Sequence, residues 1–334
     1  MCAGEYVTVN RDFNLETSMS FKHCTLLTFF SLLVCFTFVG DNAVAQQDEK
    51  RQQKEAKKKH LKDSAHFMRI RKDSKGRDVA LETSITRYEL TNEKGVRITV
   101  DLIGAVHIGE KEYFEKLNKR FEQYESMLYE LVAPEGTVIP KGGGQRSGIP
   151  TNPIAALQVG MKEALGLAFQ LEHIDYTKKN FKHADMTPTE FSESMANNDE
   201  SISKIFVRAM GQSMAMQAAG KGGDSMGMLL AMFSKNKELR LRRTFAKQMQ
   251  DMEAGMVIFK GNDGSTIIDH RNAKCMRVLE QEIADGKRNI AIFYGAGHLP
   301  DMQRRLTSDF KMKRGGQTWL EAWSLTNRGK KKPE

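Results

Sequence analysis

Apolar and polar side chains alternate from Phe67 to Arg71 and again from Val79 to Tyr88, with Asp73-Ser74-Lys75-Gly76 between the two runs. A period of two bounded by a turn cluster predicts a β-hairpin. Asn92-Glu93-Lys94-Gly95 predicts the next turn. Val96–Ile103 predicts a third strand that closes in an apolar run, the pattern of a strand covered on both faces. From Glu110 to Gln123 the period changes, and Tyr113, Phe114, Leu117 and Phe121 fall on one helical face. Ser126–Val132 reads as a short buried strand closed by Pro134-Glu135-Gly136. Strand, helix and strand in such close succession predict a βαβ unit with a right-handed crossover.

Further along, Pro153–Phe169 has a helical pattern, and Leu171–Tyr176 is short enough to be a strand. Thr187-Pro188-Thr189-Glu190 places an N-cap, a proline at N1 and a glutamate at N3, which predicts a helix start. Ser201–Ala219 and Met226–Met256 are long helical stretches parted by Gly220-Lys221-Gly222-Gly223-Asp224. Asp269–Ile283 predicts a helix stopped at Asp285-Gly286, Asn289–Tyr294 a strand, and Pro300–Leu306 another helix. Phe310–Leu325, with Trp319 and Trp323, is expected to be a strand pair turning at Gly315-Gly316. Together these elements predict an α/β fold: a mixed, largely parallel central sheet built from two halves, with flanking helices and a helical Met-rich insertion. The folded domain is expected over 66–327, with the insertion as a helical cap at about 150–260.

Ahead of that domain the pattern is of another kind. Leu26–Val39 is an apolar run preceded by Lys22 and His23. Ala43-Val44-Ala45 follows, with small residues at the −3 and −1 positions of a cleavage site. At roughly 14 residues the run falls short of the about 20 that a spanning helix needs. The expectation is a signal peptide over 1–45, cut before Gln46, and an exported protein, periplasmic or secreted. The alternative is an uncleaved N-terminal membrane anchor. Met1–Ser18 carries Glu5, Asp12 and Glu16, unlike the basic start of a leader, so Met19 is a candidate initiator.

The chain has 334 residues, enough for one large or two small domains. The formal net charge is +9, and much of the basic excess lies in the runs Lys50–Lys62 and Arg328–Lys332. Residues 46–65 are expected to be a basic disordered linker and 328–334 a basic tail. The Lys50–Lys62 run is also a candidate contact for an anionic membrane surface. No aromatic-interleaved basic face or RNP-like motif points to nucleic acid. Cys2, Cys24 and Cys35 fall in the leader, so the mature chain keeps only Cys275. That excludes an intramolecular disulfide and a cysteine-based zinc site, and Cys275 itself reads as a buried small hydrophobe. The methionines gathered between Met195 and Met256 read as adaptable helical packing, or as the soft apolar wall of a mobile cap. Lys141–Gly148 is glycine-rich but lacks the Lys-Ser/Thr of a phosphate loop.

The chemistry gathers at strand ends. Val100–Gly109 contains Gly104-x-x-His107, and Ile290–His298 contains Gly295-x-x-His298, each an apolar run leading through a glycine to a histidine and then a helix. Ligands of open α/β sheets bind beyond the carboxyl ends of the strands. Glycine there is expected to permit a sharp exit turn. Glu130, among Leu128, Tyr129, Leu131 and Val132, is a carboxylate that is costly to bury without a partner. It reads as an internal ion pair with an arginine, as a metal ligand, or as a general base. Asp269-His270-Arg271-Asn272 opens the helix before the second histidine motif. Arg271 is the best partner for Glu130 or for a developing oxyanion, and Asn272 is expected to orient a substrate carbonyl. His270 ranks below Arg271, because neighbouring helix residues point apart.

Gly104-x-x-His107, the Tyr129-Glu130-Leu131 strand, His270-Arg271-Asn272 and Gly295-Ala296-Gly297-His298-Leu299-Pro300 occur in an order that resembles the TraB/GumN/Tiki family. The likeness spans about Val96 to Met302. It implies an α/β fold distantly similar to ChaN and erythromycin-esterase-like proteins. It also implies an exported metal-dependent hydrolase, a peptidase in the Tiki members, acting on a peptide or protein substrate. Carried over by residue, the catalytic set is Glu130, Arg271 and Asn272. The metal set is His107, Glu130 and His298, holding a divalent ion such as Zn, Mn or Co. The HExxH helix of common zinc peptidases is absent, so such a site would have to be assembled from separate segments. The alternative is a non-catalytic peptide, lipid or haem binding protein of the same fold.

Overall fold

The computed structural model describes residues 66–143, 160, 163–198, 200–201, 204, 211, 234, 236–256 and 265–327. The chain separates into two compact units, Met1–Ser64 and Ala65–Glu334, of which the first lies outside the described residues. The expected leader, linker and basic tail, and most of the Met-rich insertion, therefore lie outside them too. Among the described residues no helix is long and apolar enough to cross a membrane.

Hydrophobic alternation sets the first strands. β1 (Met68–Lys72) and β2 (Asp78–Thr91) form the expected hairpin, and β3 (Arg97–Ala105) follows the Asn92–Gly95 turn. β2 is long enough to take three partners. β1 pairs with its first half and β3 with its second, while β9 (Lys313–Ser324) runs along its other edge. Phe310–Leu325 is thus not a hairpin. Gly315 stays in strand β9, where a Cβ would lie 3.5 Å from Arg87 Cγ and from the Arg87 carbonyl. The register shifts between Thr86 and Tyr88 at this point, so the glycines serve a bulge in one strand and not a turn between two.

The remaining strands are parallel. β5 (Ser126–Tyr129), β7 (Phe181–His183) and β8 (Asn289–Gly295) extend the sheet in the order β1-β2-β3-β8-β5-β7, with β9 on β2. β8 stands between β3 and β5. The βαβ unit expected from the sequence therefore skips a position, which the last parallel strand in the sequence fills. β8 is enclosed between two parallel neighbours, with Ile290, Ala291, Ile292, Phe293 and Tyr294 at 0–1% exposure.

Helices cover both faces. α1 (Lys111–Phe121) buries Tyr113, Phe114, Leu117 and Phe121, the stripe expected from its spacing. Phe121 meets Phe293 of β8 at 4.9 Å between ring centroids. Tyr294 points the opposite way, as successive strand residues must, toward Cys275 of α5 (Arg271–Ala284), and its hydroxyl donates to the Ala184 carbonyl at 2.6 Å. The forward crossover and the return crossover thus lie on opposite faces, as right-handed connections require. Cys275 is buried at 0% exposure, and burial pushes its pKa up, which agrees with its reading as a small hydrophobe.

Two expected elements differ: the helical pattern of Pro153–Phe169 ends in a strand at Ala168–Phe169, and Leu171–Tyr176 opens in a helix. Leu171–Tyr176 is not a strand: α2 (Gln170–His173) follows β6 (Ala168–Phe169), which pairs with β4 (Ile108–Gly109). α3 (Pro188–Asn197) begins as expected, with Thr187 and Glu190 exchanging both bonds of a capping box. α4 (Lys237–Met256) and α6 (Leu299–Ser308) complete the described α-helices of four residues or more.

Candidate active site

The parallel registers bring the carboxyl ends of β3, β8, β5 and β7 to one edge of the sheet. Each strand delivers a polar residue just past its end: His107, His298, Glu130 and Asp185.

Glu130 follows β5 and leans over the end of β8. Its Oε2 accepts the Gly295 N–H at 2.6 Å, and its Oε1 accepts Arg271 Nη2 at 2.8 Å. The side chain is 13% exposed. Burial alone would raise its pKa. The charges of His298, Arg271 and His107, with the Gly295 N–H, overcome burial and hold it down to about 2. Arg271 also grips Asp185, with Nε to Oδ1 at 2.9 Å and Nη2 to Oδ2 at 2.5 Å. The reading of Glu130 as an ion pair with an arginine is therefore present in the structure, and Asp185 is a third member that sequence reasoning missed. Nothing local marked it, because β7 is a strand of only three residues, Phe181–His183, and Asp185 follows it after Ala184. Burial pulls the Arg271 pKa down, but the Asp185 hydrogen bonds and the two carboxylate charges raise it overall.

Gly104 and Gly295 do not supply the expected sharp turn, since neither has positive φ. Gly295 is needed for space: a Cβ there would lie 3.3 Å from Glu130 Oε2. The two histidine motifs also diverge. His298 ends a one-turn 3-10 helix (Ala296–His298) that leads into α6, whereas His107 lies between β3 and the short strand β4.

His298 is buried at 6% exposure, and its orientation follows from Asn272. Asn272 Nδ2 donates to the His298 carbonyl and to Asp301 Oδ2, both at 3.0 Å. Both partners only accept, which fixes the amide orientation and turns Oδ1 toward His298 Nδ1 at 2.7 Å. Nδ1 must therefore carry the proton. The opposite nitrogen, Nε2, keeps its lone pair and faces Glu130 Oε1 at 3.5 Å. Burial lowers the His298 pKa, against the pull of the Glu130 carboxylate. Asp301 is held in turn by Arg304 Nη2 and Arg305 Nε, each at 2.6 Å. The expected role of Asn272 is thus corrected. It is 0% exposed with both amide atoms engaged, so it positions His298 and cannot reach a substrate carbonyl.

His107 is exposed, and its side chain makes no hydrogen bond among the described residues. Its backbone carbonyl accepts the Gln170 N–H at 2.9 Å. It stands within electrostatic reach of both Glu130 and His298. His270 points away, with Nδ1 at 2.9 Å from Ser194 Oγ of α3. Among the described residues no group of three His, Cys, Asp or Glu side chains is arranged to hold a metal ion. What the structure brings together is a facing pair, His298 Nε2 and Glu130 Oε1.

Two acceptors 3.5 Å apart repel unless a proton or a cation lies between them. Glu130, held in its charged form, and Asp185 share the Arg271 guanidinium, so among the described residues two carboxylates meet one buried cation. Such a centre can bind a cation, or polarise a water that donates to both groups. No protein-family model, curated protein or solved structure matches the chain.

Proposed function

We propose that the chain is an exported hydrolase acting on a peptide or protein substrate, with Glu130 and His298 at its centre. The observation that carries this reading is the lone pair of His298 Nε2, held 3.5 Å from an ionised carboxylate by a buried amide on the far side of the ring. A water donating one proton to Nε2 and one to Glu130 Oε1 is aligned for deprotonation. His298 takes the proton from that water as the oxygen adds to the substrate carbonyl. Glu130 stabilises the imidazolium that forms, and Arg271 and the Gly295 N–H keep Glu130 in place. The same proton then passes from Nε2 to the leaving nitrogen, so acid and amine are formed from amide and water.

The facing pair also suits a divalent ion such as Zn, Mn or Co, with the exposed His107 as the remaining candidate donor. Bound there, such an ion would lower the pKa of its water to about 7. Asn272 would then hold the ligand tautomer, the part usually taken by a partner of the second ring nitrogen. The TraB/GumN/Tiki-like motifs favour this form of the reading. A further donor in His107 and buried support from Asn272 are features of this chain that fit it.

The test is cleavage of a mixed peptide library, read by mass spectrometry, with wild type, His298→Ala and Glu130→Gln compared after dialysis and after adding Zn, Mn or Co. Loss of cleavage by at least about 100-fold in both variants is expected. Equal cleavage by wild type and variants would refute the assignment. Cleavage that needs no added ion and survives a chelator would remove the metal and leave the acid–base centre.

A further inference from the structure

Beside the Glu130–His298 pair stand two buried polar side chains that the proposed hydrolysis does not use. Gln170 opens α2, and its backbone ties it to His107. Its side-chain Nε2 donates to Tyr176 Oη at 2.8 Å, while its Oε1 is buried with no hydrogen-bond partner among the described residues. Tyr176 is 7% exposed, and its ring lies 5.1 Å from that of Tyr129, the residue before Glu130. Burial raises the Tyr176 pKa, and the nearby Glu130 charge adds to the rise. One member of the pair is thus tied to the backbone of a histidine motif, and the other packs against the residue before the carboxylate.

A buried carbonyl oxygen left without a donor is costly, and native structures rarely keep one without a use. The phenol accepts the amide bond and so retains its own proton to give. Gln170 Oε1 retains lone pairs to receive. Turning the amide over exchanges the roles: Nε2–H becomes free to give, and the phenol oxygen to receive. In both orientations the pair offers one donor and one acceptor side by side. A peptide group carries the matching N–H and C=O. An ester carries only acceptors and leaves one of the two buried groups unpaired.

We infer that Gln170 and Tyr176 form a subsite that reads one backbone peptide group of the substrate and selects amides over esters. Cleavage of the bound group rests on the hydrolase reading; the recognition itself does not. Because no substrate side chain is read, acetylated, amidated tetra-alanine is a sufficient probe, and its all-ester counterpart built from L-lactate is the control. Both are titrated into the full chain while the Gln170 side-chain amide signal is observed by NMR, assigned from its loss in Gln170→Met.

The peptide is expected to move that signal, to bind about tenfold more tightly than the ester, and to lose about the same factor in Tyr176→Phe. Should Gln170→Met fail to fold, Gln170→Glu keeps the size and still assigns the lost amide signal, and because its carboxylate accepts the substrate N–H the peptide is expected to stay preferred over the ester. Equal affinity for the two probes, peptide binding that leaves the Gln170 signal unmoved, binding of neither probe, or an ordered water on Oε1 that the peptide does not displace would each overturn the subsite. Peptide selectivity without any hydrolysis would overturn the hydrolase reading alone. Hydrolysis without selectivity would overturn the subsite alone.

Discussion

His298 is oriented by a residue that touches neither solvent nor substrate: Asn272 Oδ1 accepts from His298 Nδ1 at 2.7 Å, and the Asn272 amide is itself fixed by Asp301 and the His298 carbonyl. An ordinary amide thus decides which imidazole nitrogen faces Glu130. Nitrogen-15 spectra of His298 are expected to show the proton on Nδ1 at neutral pH. Asn272→Ala is expected to cost about 1–3 kcal/mol of stability by leaving buried partners unpaired. It should also mix the two tautomers, which a purely structural role would not do. A single Nδ1–H tautomer in the variant would show that Asn272 is not the orienting group.

The buried charges make stability depend on pH in one direction. The Glu130 pKa is lowered from 4.5 to about 2, so its contribution is complete above its unfolded value and is lost as pH falls through the folded one. The His298 pKa is lowered from 6.5, so it too stabilises the fold above that value and ceases to do so below its folded pKa. Urea midpoints are expected to fall from pH 6.5 downward in wild type, and again from pH 4.5 toward 2. In Glu130→Gln the second fall should be shallower. A Glu130→Gln profile parallel to wild type across the acid range would contradict the assignment of the buried carboxylate.

Asp185 and Arg271 form the tightest ion pair at the sheet edge, with Asp185 side chain 0% and Arg271 11% exposed. Asp185→Leu leaves Arg271 with Glu130 alone and is expected to destabilise by about 3–5 kcal/mol, as loss of one partner of a buried pair does. Arg271→Met alone leaves both Asp185 and Glu130 without their cation, so the double variant, with one unpaired carboxylate instead of two, is expected to cost less than the two single losses together, while hydrolysis stays absent because Glu130 is no longer held. Chemical denaturation of the two single variants and the double variant measures the coupling. Additive losses would mean that the pair does not act as a unit.

The two motif glycines should respond differently to alanine. At Gly295 the new Cβ meets Glu130 Oε2 at 3.3 Å, so the carboxylate must move by a few tenths of an ångström. At Gly104 the nearest atoms are the Phe67 carbonyl at 3.4 Å and Leu299 Cδ1 at 3.5 Å, close to ordinary contacts. Gly295→Ala is expected to lower kcat/KM roughly tenfold to hundredfold with little change in melting temperature. Gly104→Ala is expected to leave kcat/KM within about threefold of wild type. The reverse order would place the reacting groups nearer β3 than β8.

Local pattern alone determined the hairpin of β1 and β2, the capped start of α3 at Thr187, the apolar face of α1, and the α/β class. These arise from periodicity and capping, which act between residues a few positions apart. The pairing of Glu130 with Arg271 was legible as well, because a carboxylate inside an apolar strand must find a cation and Arg271 opens the helix just before the second histidine motif. The tertiary structure alone decided that β8 separates β3 from β5, and that β9 runs unbroken through Gly315-Gly316. It also turned Asn272 from a substrate contact into a buried support, and it brought Asp185, Gln170 and Tyr176 to the same edge. None of these has a local signature, since the partners are distant in sequence and the choice among them depends on which pairing leaves the fewest buried groups unsatisfied. The two glycine-histidine motifs show the division. Their likeness is in the sequence, but only β8's central place in the sheet buries His298 against Glu130 and leaves His107 exposed.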